Sequence, residues 1–118
     1  MITGLHHLEL AIREGEEAAG RRFWGEVLGL AEIPKPPALD PRGCWFALPD
    51  GREIHLGIAE DLVAATKAHP AFTVSDLDAV AAVLAAAGHP VKWDTRLERR
   101  RFYSSDPWGN RLEFTEAG

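Results

Sequence analysis

One pattern runs through this chain twice, and that repeat limits the possible folds more than any other feature. Residues 5–12 (LHHLELAI) alternate, with Leu8, Leu10 and Ile12 on one face and His7, Glu9 and Ala11 on the other, as in a half-buried strand. Glu14, Glu16 and Glu17 follow, suited to the start of a helix. Ala19, Phe23, Val27 and Leu30 then fall at helical spacing, with Trp24 and Leu28 widening the stripe, and Gly29 is placed to stop it. Residues 31–42 hold four prolines, which predicts loop or edge strand. Residues 43–58 read as two strands joined at Pro49-Asp50-Gly51.

The second half repeats this order. Residues 69–74 (HPAFTV) read as a strand, and Ser75 or Asp76 can cap a helix. Leu77, Val80, Leu84 and Ala87 give that helix its apolar stripe, and Gly88 ends it. VKWDT, RRFYSS and NRLEFTE predict three strands, the last two joined at Asp106-Pro107-Trp108-Gly109. His7 to His69 is an offset of 62, and His55 to Glu113 an offset of 58. Loop-length differences account for the drift. Each half therefore reads as a βαβββ unit, module one about 1–58 and module two 69–118. The connector 59–68 is a short helix or a loop, within a single domain over 1–118. The 118 residues suit one ordinary domain, and neither half alone is long enough to close a core.

The matched positions carry the chemistry. His7 and His55 lie on the polar faces of the first and last strands of half one. His69 and Glu113 take the corresponding places in half two. Three imidazoles and a carboxylate at duplicated positions are candidate ligands for one divalent ion: zinc, nickel, cobalt, manganese or iron. A strand histidine met singly is more often a surface or core residue; the repeat is what raises these four above that. His6 shares the face of Leu8 and Leu10 and reads as a packing residue, and His89 follows the helix stop Gly88. The lone Cys44 excludes an intrachain disulfide and a cysteine zinc cluster, and it reads as a buried, inert thiol.

Other site residues follow from alternation. Glu9 shares a strand face with His7 and is a candidate base, though an ion pair with an arginine is the commoner role for such a residue. Trp45 and Ala47 oppose Cys44, Phe46 and Leu48; Arg101 and Tyr103 oppose Phe102 and Ser104. Trp45 and Tyr103 could wall a substrate pocket, and Arg101 could hold a carboxylate, against the alternative that residues 97–101 (LERRR) form a solvated basic edge.

The stretches GLHHLELAI, FWGEVLGL, HPAFTV and DPWGNRLEF resemble the vicinal oxygen chelate superfamily over nearly the whole chain. Its members include glyoxalase I, methylmalonyl-CoA epimerase, extradiol dioxygenases, fosfomycin-resistance enzymes and bleomycin-resistance proteins. The resemblance implies an α+β fold in which paired βαβββ modules form a cup-shaped mixed sheet around a metal. It implies the ligands His7, His55, His69 and Glu113, with Glu113 also able to act as a base. Glyoxalase I commonly has Glu where this chain has His55, and the epimerase has Gln. The fosfomycin enzymes have Thr at the place of Glu9, and the bleomycin-binding members lack the ligand set. The implied function is metal-dependent lyase, isomerase or epimerase chemistry on a small metabolite chelated through vicinal oxygens. The alternatives are a metal-free small-molecule or drug-binding resistance protein, and a non-haem iron ring-cleavage dioxygenase. A homodimer is expected.

Partners can be narrowed further. A net charge of −5 argues against nucleic acid. The N-terminus has neither a basic nor an apolar leader region, and no apolar run approaches the ~20 residues that span a bilayer. The expectation is a cytoplasmic protein with a small-molecule substrate and no membrane partner.

Overall fold

The structure is a computed structural model and describes residues 1–117. Met1–Val63 and Ala64–Gly118 form two compact units. In the first, the alternation at the N-terminus becomes β1 (His7–Ile12), which lies parallel to β4 (Glu53–Ile58). β3 (Cys44–Ala47) runs antiparallel to β4, and the edge strand β2 (Ala31–Ile33) antiparallel to β3, giving the order β1-β4-β3-β2. In the second unit β5 (Ala71–Val74), β6 (Lys92–Asp94), β7 (Arg101–Ser105) and β8 (Arg111–Glu116) repeat that arrangement as β5-β8-β7-β6, with β5 parallel to β8. The two four-stranded mixed sheets are the α+β architecture expected from the repeat.

Alternation assigns one face of each sheet to the core. In unit one Leu10, Ile12, Cys44, Phe46, Ile54 and Leu56 are buried. Fully burying an aliphatic or aromatic side chain contributes about 1.5–3 kcal/mol. The helix of this unit begins as α1 (Glu17–Gly20) and continues into a π-helical stretch, Arg21–Val27, marked by the Leu28 N–H donating to the Phe23 carbonyl five residues back. The sequence periodicity predicts ordinary α-helix here, and nothing in it signals the wider winding. Phe23 and Trp24, adjacent in sequence, are both fully buried. Gly29 adopts φ +75°, so the chain leaves the helix where a glycine permits it.

In unit two, Asp76 caps α2 (Leu77–Ala86) by accepting from the Ala79 N–H. Leu77, Ala81 and Leu84 are buried, whereas Ala87, counted in the stripe from sequence, is exposed. The turn between β7 and β8 is organised by a buried carboxylate. Asp106 Oδ1 accepts from the Trp108 and Asn110 N–H groups, and Oδ2 accepts from Asn110 Nδ2. Residues 59–68 form turns and loop rather than a helix. Among the described residues no helix is long and apolar enough to cross a membrane.

Candidate functional site

The register of β1 on β4 places His7 beside Glu53 and Glu9 beside His55, so all four share the face opposite the core. Trp45 pairs with His55 across β3–β4 and joins that face. The buried His55 ring lies between two others: Trp45 at 3.6 Å and 3°, and His7 at 4.0 Å and 16°. Its Nε2 stands 2.8 Å from Glu53 Oε1. His7 is exposed, and its Nδ1 lies 3.0 Å from His6 Nδ1. His6 is therefore no packing residue: β1 begins at His7, so the alternation that would have buried His6 does not extend to it. Glu9 makes no ion pair among the described residues, contrary to the commoner expectation. A Cβ built at Gly57 would sit 3.2 Å from the Glu9 carboxyl carbon, so this glycine makes room for the side chain.

Unit two builds a different set on the same scaffold. Glu113 is flanked by Ala71 on β5 and Tyr103 on β7, and is buried with 4% exposure. His69, just before β5, has Nδ1 3.0 Å from the Lys67 carbonyl and Nε2 3.1 Å from Glu113 Oε1. Because a carbonyl only accepts, Nδ1 must carry the hydrogen, and in the neutral ring Nε2 then turns a lone pair toward a carboxylate oxygen. Arg101 reaches the same carboxylate, Nη1 lying 3.4 Å from both oxygens, but its shorter bond is 2.8 Å to Asp94 Oδ2. Asp94 is held well below the usual carboxylate range, first by the side-chain bonds from Arg96, with Arg101 adding to the effect. Tyr103 packs edge-on to His69 at 5.3 Å and carries the Arg111 guanidinium 3.9 Å over its ring.

A divalent ion fits the pair in unit two. Two donors bound at about 2.1 Å to one ion stand about 3.0–3.4 Å apart, and a metal-bound histidine typically gives its other N–H to a carbonyl, as His69 does. In unit one the stacked rings of His7 and His55 direct their lone pairs along nearly parallel planes, so the exposed His7 must turn before both can face one ion. Within neither unit do three or more described His, Cys, Asp or Glu side chains gather into an arrangement able to hold an ion.

The structure thus groups His7, Glu9, Trp45 and His55 on one face of unit one. It groups His69, Arg101, Tyr103 and Glu113 in unit two. Sequence reasoning missed Glu53, Asp94 and Arg111. Glu53 and Arg111 were within reach of it, since each stands two residues before a candidate ligand on the same strand.

Residues 9–115 match the family model of the glyoxalase-like domain. The chain belongs to this glyoxalase-like family. A solved protein from Bacillus anthracis assigned to the glyoxalase family is 42% identical, with TM-score 0.91, covering 100% of this chain and 98% of that one. The fosfomycin resistance protein FosX from Listeria monocytogenes is 22% identical, with TM-score 0.78 and coverage of 100% and 96%. The antibiotic binding protein TnmS3 from Streptomyces sp. CB03234 is 19% identical, with TM-score 0.77 and coverage of 99% and 98%. These last two share the fold with this glyoxalase-like chain. No curated protein sequence matches it. The glyoxalase-like fold places the chain in the vicinal oxygen chelate superfamily, whose members typically use divalent metals.

Proposed function

We propose that this chain is a metal-dependent glyoxalase-like enzyme. Its substrate is a small, oxygen-rich metabolite that chelates a divalent ion through vicinal oxygens, and its chemistry is that of a lyase, isomerase or epimerase. The observation that carries this reading is the His69–Glu113 pair. An imidazole whose other nitrogen is committed to the Lys67 carbonyl faces a buried carboxylate oxygen at 3.1 Å, an arrangement that a cation completes. His7, His55, His69 and Glu113 would hold the ion: zinc, nickel, cobalt, manganese or iron. When bound, such an ion supplies Lewis acidity that stabilises an oxyanion or enediolate.

The side chains do the rest. Lys67 fixes the tautomer of His69. Arg101, anchored on Asp94, steadies the Glu113 carboxylate. Glu9, exposed and unpaired among the described residues, is placed to take a proton from a carbon next to a carbonyl, with Glu113 as the other candidate base. Trp45 and Tyr103 offer aromatic surface for the substrate. The two modules act in this reading as one glyoxalase-like domain of a cytoplasmic homodimer.

The test is metal content and titration calorimetry of the purified protein after supplementation with each ion. The expected result is about one ion per chain, with affinity lowered at least tenfold in His69→Ala and Glu113→Gln. Less than about a tenth of an equivalent, with no affinity on titration, refutes the proposal.

One observation favours a second reading, a metal-free binding protein for a small molecule. Arg101 already sets a cation against both Glu113 oxygens. Under that reading His7→Ala and Glu113→Ala leave ligand binding intact.

A further inference from the structure

On the polar face of unit two, one guanidinium is unaccounted for among the described residues. Arg101 is engaged by Asp94 and Glu113, and Arg96 by Asp94. Arg111 is half-buried and meets no carboxylate among the described residues. Its position is nonetheless fixed. The guanidinium lies 3.9 Å over the Tyr103 ring. Tyr103 is itself held between His69, edge-on at 5.3 Å, and Arg101 at 5.5 Å on β7. A guanidinium stacked by its face keeps its N–H edge free, and that edge matches a carboxylate or phosphate in bidentate geometry. Much of the side-chain entropy that binding would cost has already been lost in the stack.

Arg111 also stands two residues before Glu113 on β8, hence on the same face and about 6–7 Å along it. The register sets Lys92 beside Tyr103 as well, adding a second positive charge to this face.

We propose that Arg111, stacked on Tyr103, is an oxyanion-binding subsite that takes the carboxylate or phosphate of the substrate. Arg101, the candidate from sequence, serves instead to position Glu113. The substrate is then a small anionic hydroxy or oxo compound, its charged group a few bonds from the chelating oxygens. This substrate assignment rests on the metal reading above, but anion binding at Arg111 does not, and the experiment separates the two.

Tyr103 is the only tyrosine in the chain, so its ring resonances in tyrosine-labelled protein need no assignment. The full chain is treated with EDTA and titrated with acetate, benzoate and inorganic phosphate, with chloride as the ionic-strength control. The expected result is a saturable shift of the Tyr103 ring signals with at least one oxyanion and none with chloride. Arg111→Met should weaken that binding by about tenfold or more, Arg111→Lys by less, and Arg99→Gln, an exposed charge control, by under about twofold. Stronger binding of phosphate than of either carboxylate assigns the group to a phosphate ester; the reverse order assigns it to a carboxylic acid. Absence of saturable shifts, or equal affinity in wild type and Arg111→Met, overturns the proposal. If Arg111→Met does not fold, Arg111→Lys decides, since a mere point charge would bind as wild type. Metal content measured on the same protein before EDTA treatment fails or succeeds independently.

Discussion

The turn carrying DPWGN holds the face that bears Arg111 and Glu113 in register, and Asp106 is its centre. Asp106→Ala removes the acceptor of three N–H donors at once, two from the backbone and one from the Asn110 amide. Trp108 and Asn110 are buried, so water replaces these bonds only in part. At about 1–3 kcal/mol for each donor left unsatisfied, and allowing for partial hydration, the loss is roughly 3–5 kcal/mol. A domain of this kind has about 5–15 kcal/mol in total. With a urea m-value of roughly 1.5 kcal/mol/M, the unfolding midpoint should fall by about 2–3 M.

Asp106→Asn separates the hydrogen bonds from the charge. It keeps an oxygen for the two backbone donors but sets its own NH2 against the Asn110 NH2, so it should cost less, about 1–2 kcal/mol at neutral pH. Its pH dependence is diagnostic. Burial pushes the Asp106 carboxyl above its usual range, outweighing the lowering by its donors and by His89. For an acid raised in the folded state, the native protein keeps the proton longer than the unfolded chain. Its contribution to stability is full below the ordinary value of about 3.8 and fades as pH rises through the raised value. The wild type should therefore gain on Asp106→Asn as pH falls from neutral toward 4. Urea melts of both proteins across that range give the difference directly. A gap that stays constant or narrows, or an Asp106→Ala cost below about 1 kcal/mol, refutes the account.

Two further outcomes rest on unit one. Cys44 is 2% exposed, and burial pushes its thiol up to about 11, so at pH 8 its thiolate fraction should be about two hundred times lower than that of a free thiol. Native protein should resist a disulfide reagent until urea unfolds it; rapid labelling of folded protein would contradict this burial. Gly43 sits at φ +82°, its N–H donates to Glu17 Oε2, and a Cβ there would fall on the Leu56 carbonyl oxygen across β3–β4. Gly43→Ala should cost more than about 4 kcal/mol in urea melts or abolish soluble expression, and a midpoint near wild type would show that the strands separate at little cost.

Much of this architecture was legible because it depends on local rules. Period-two alternation put His55 and Glu113 opposite the core without any knowledge of the partner strands, and Gly29, Gly88 and Asp76 marked helix ends by their own backbone chemistry. What stayed hidden depends on pairing between distant segments. The clamp of Asp94 on Arg101 requires the β6–β7 register, and the six-residue loop between those strands leaves that register open in the sequence. The contact of His69 with the Lys67 carbonyl comes from a loop conformation that composition does not encode. The stack of Trp45 on His55 was missed because alternation gives the face of a side chain and not its rotamer.

The two units show what duplication supplies and what divergence adds. His7 and His69 hold matching places, as do Trp45 and Tyr103, Glu53 and Arg111, His55 and Glu113. In both units an aromatic ring on the third strand carries a flat group from the fourth: imidazole on Trp45, guanidinium on Tyr103. The charges are exchanged. Unit one sets the carboxylate of Glu53 next to the imidazole of His55, so its acid satisfies its own neighbour. Unit two sets the cation of Arg111 two residues from the carboxylate of Glu113, and there the carboxylate is served by Arg101 and His69 instead. Among the described residues, the exchange leaves a stacked guanidinium without an anion in unit two and no counterpart to it in unit one. Changing the sign at one strand position, Glu53 in unit one and Arg111 in unit two, is what sets the two polar faces apart.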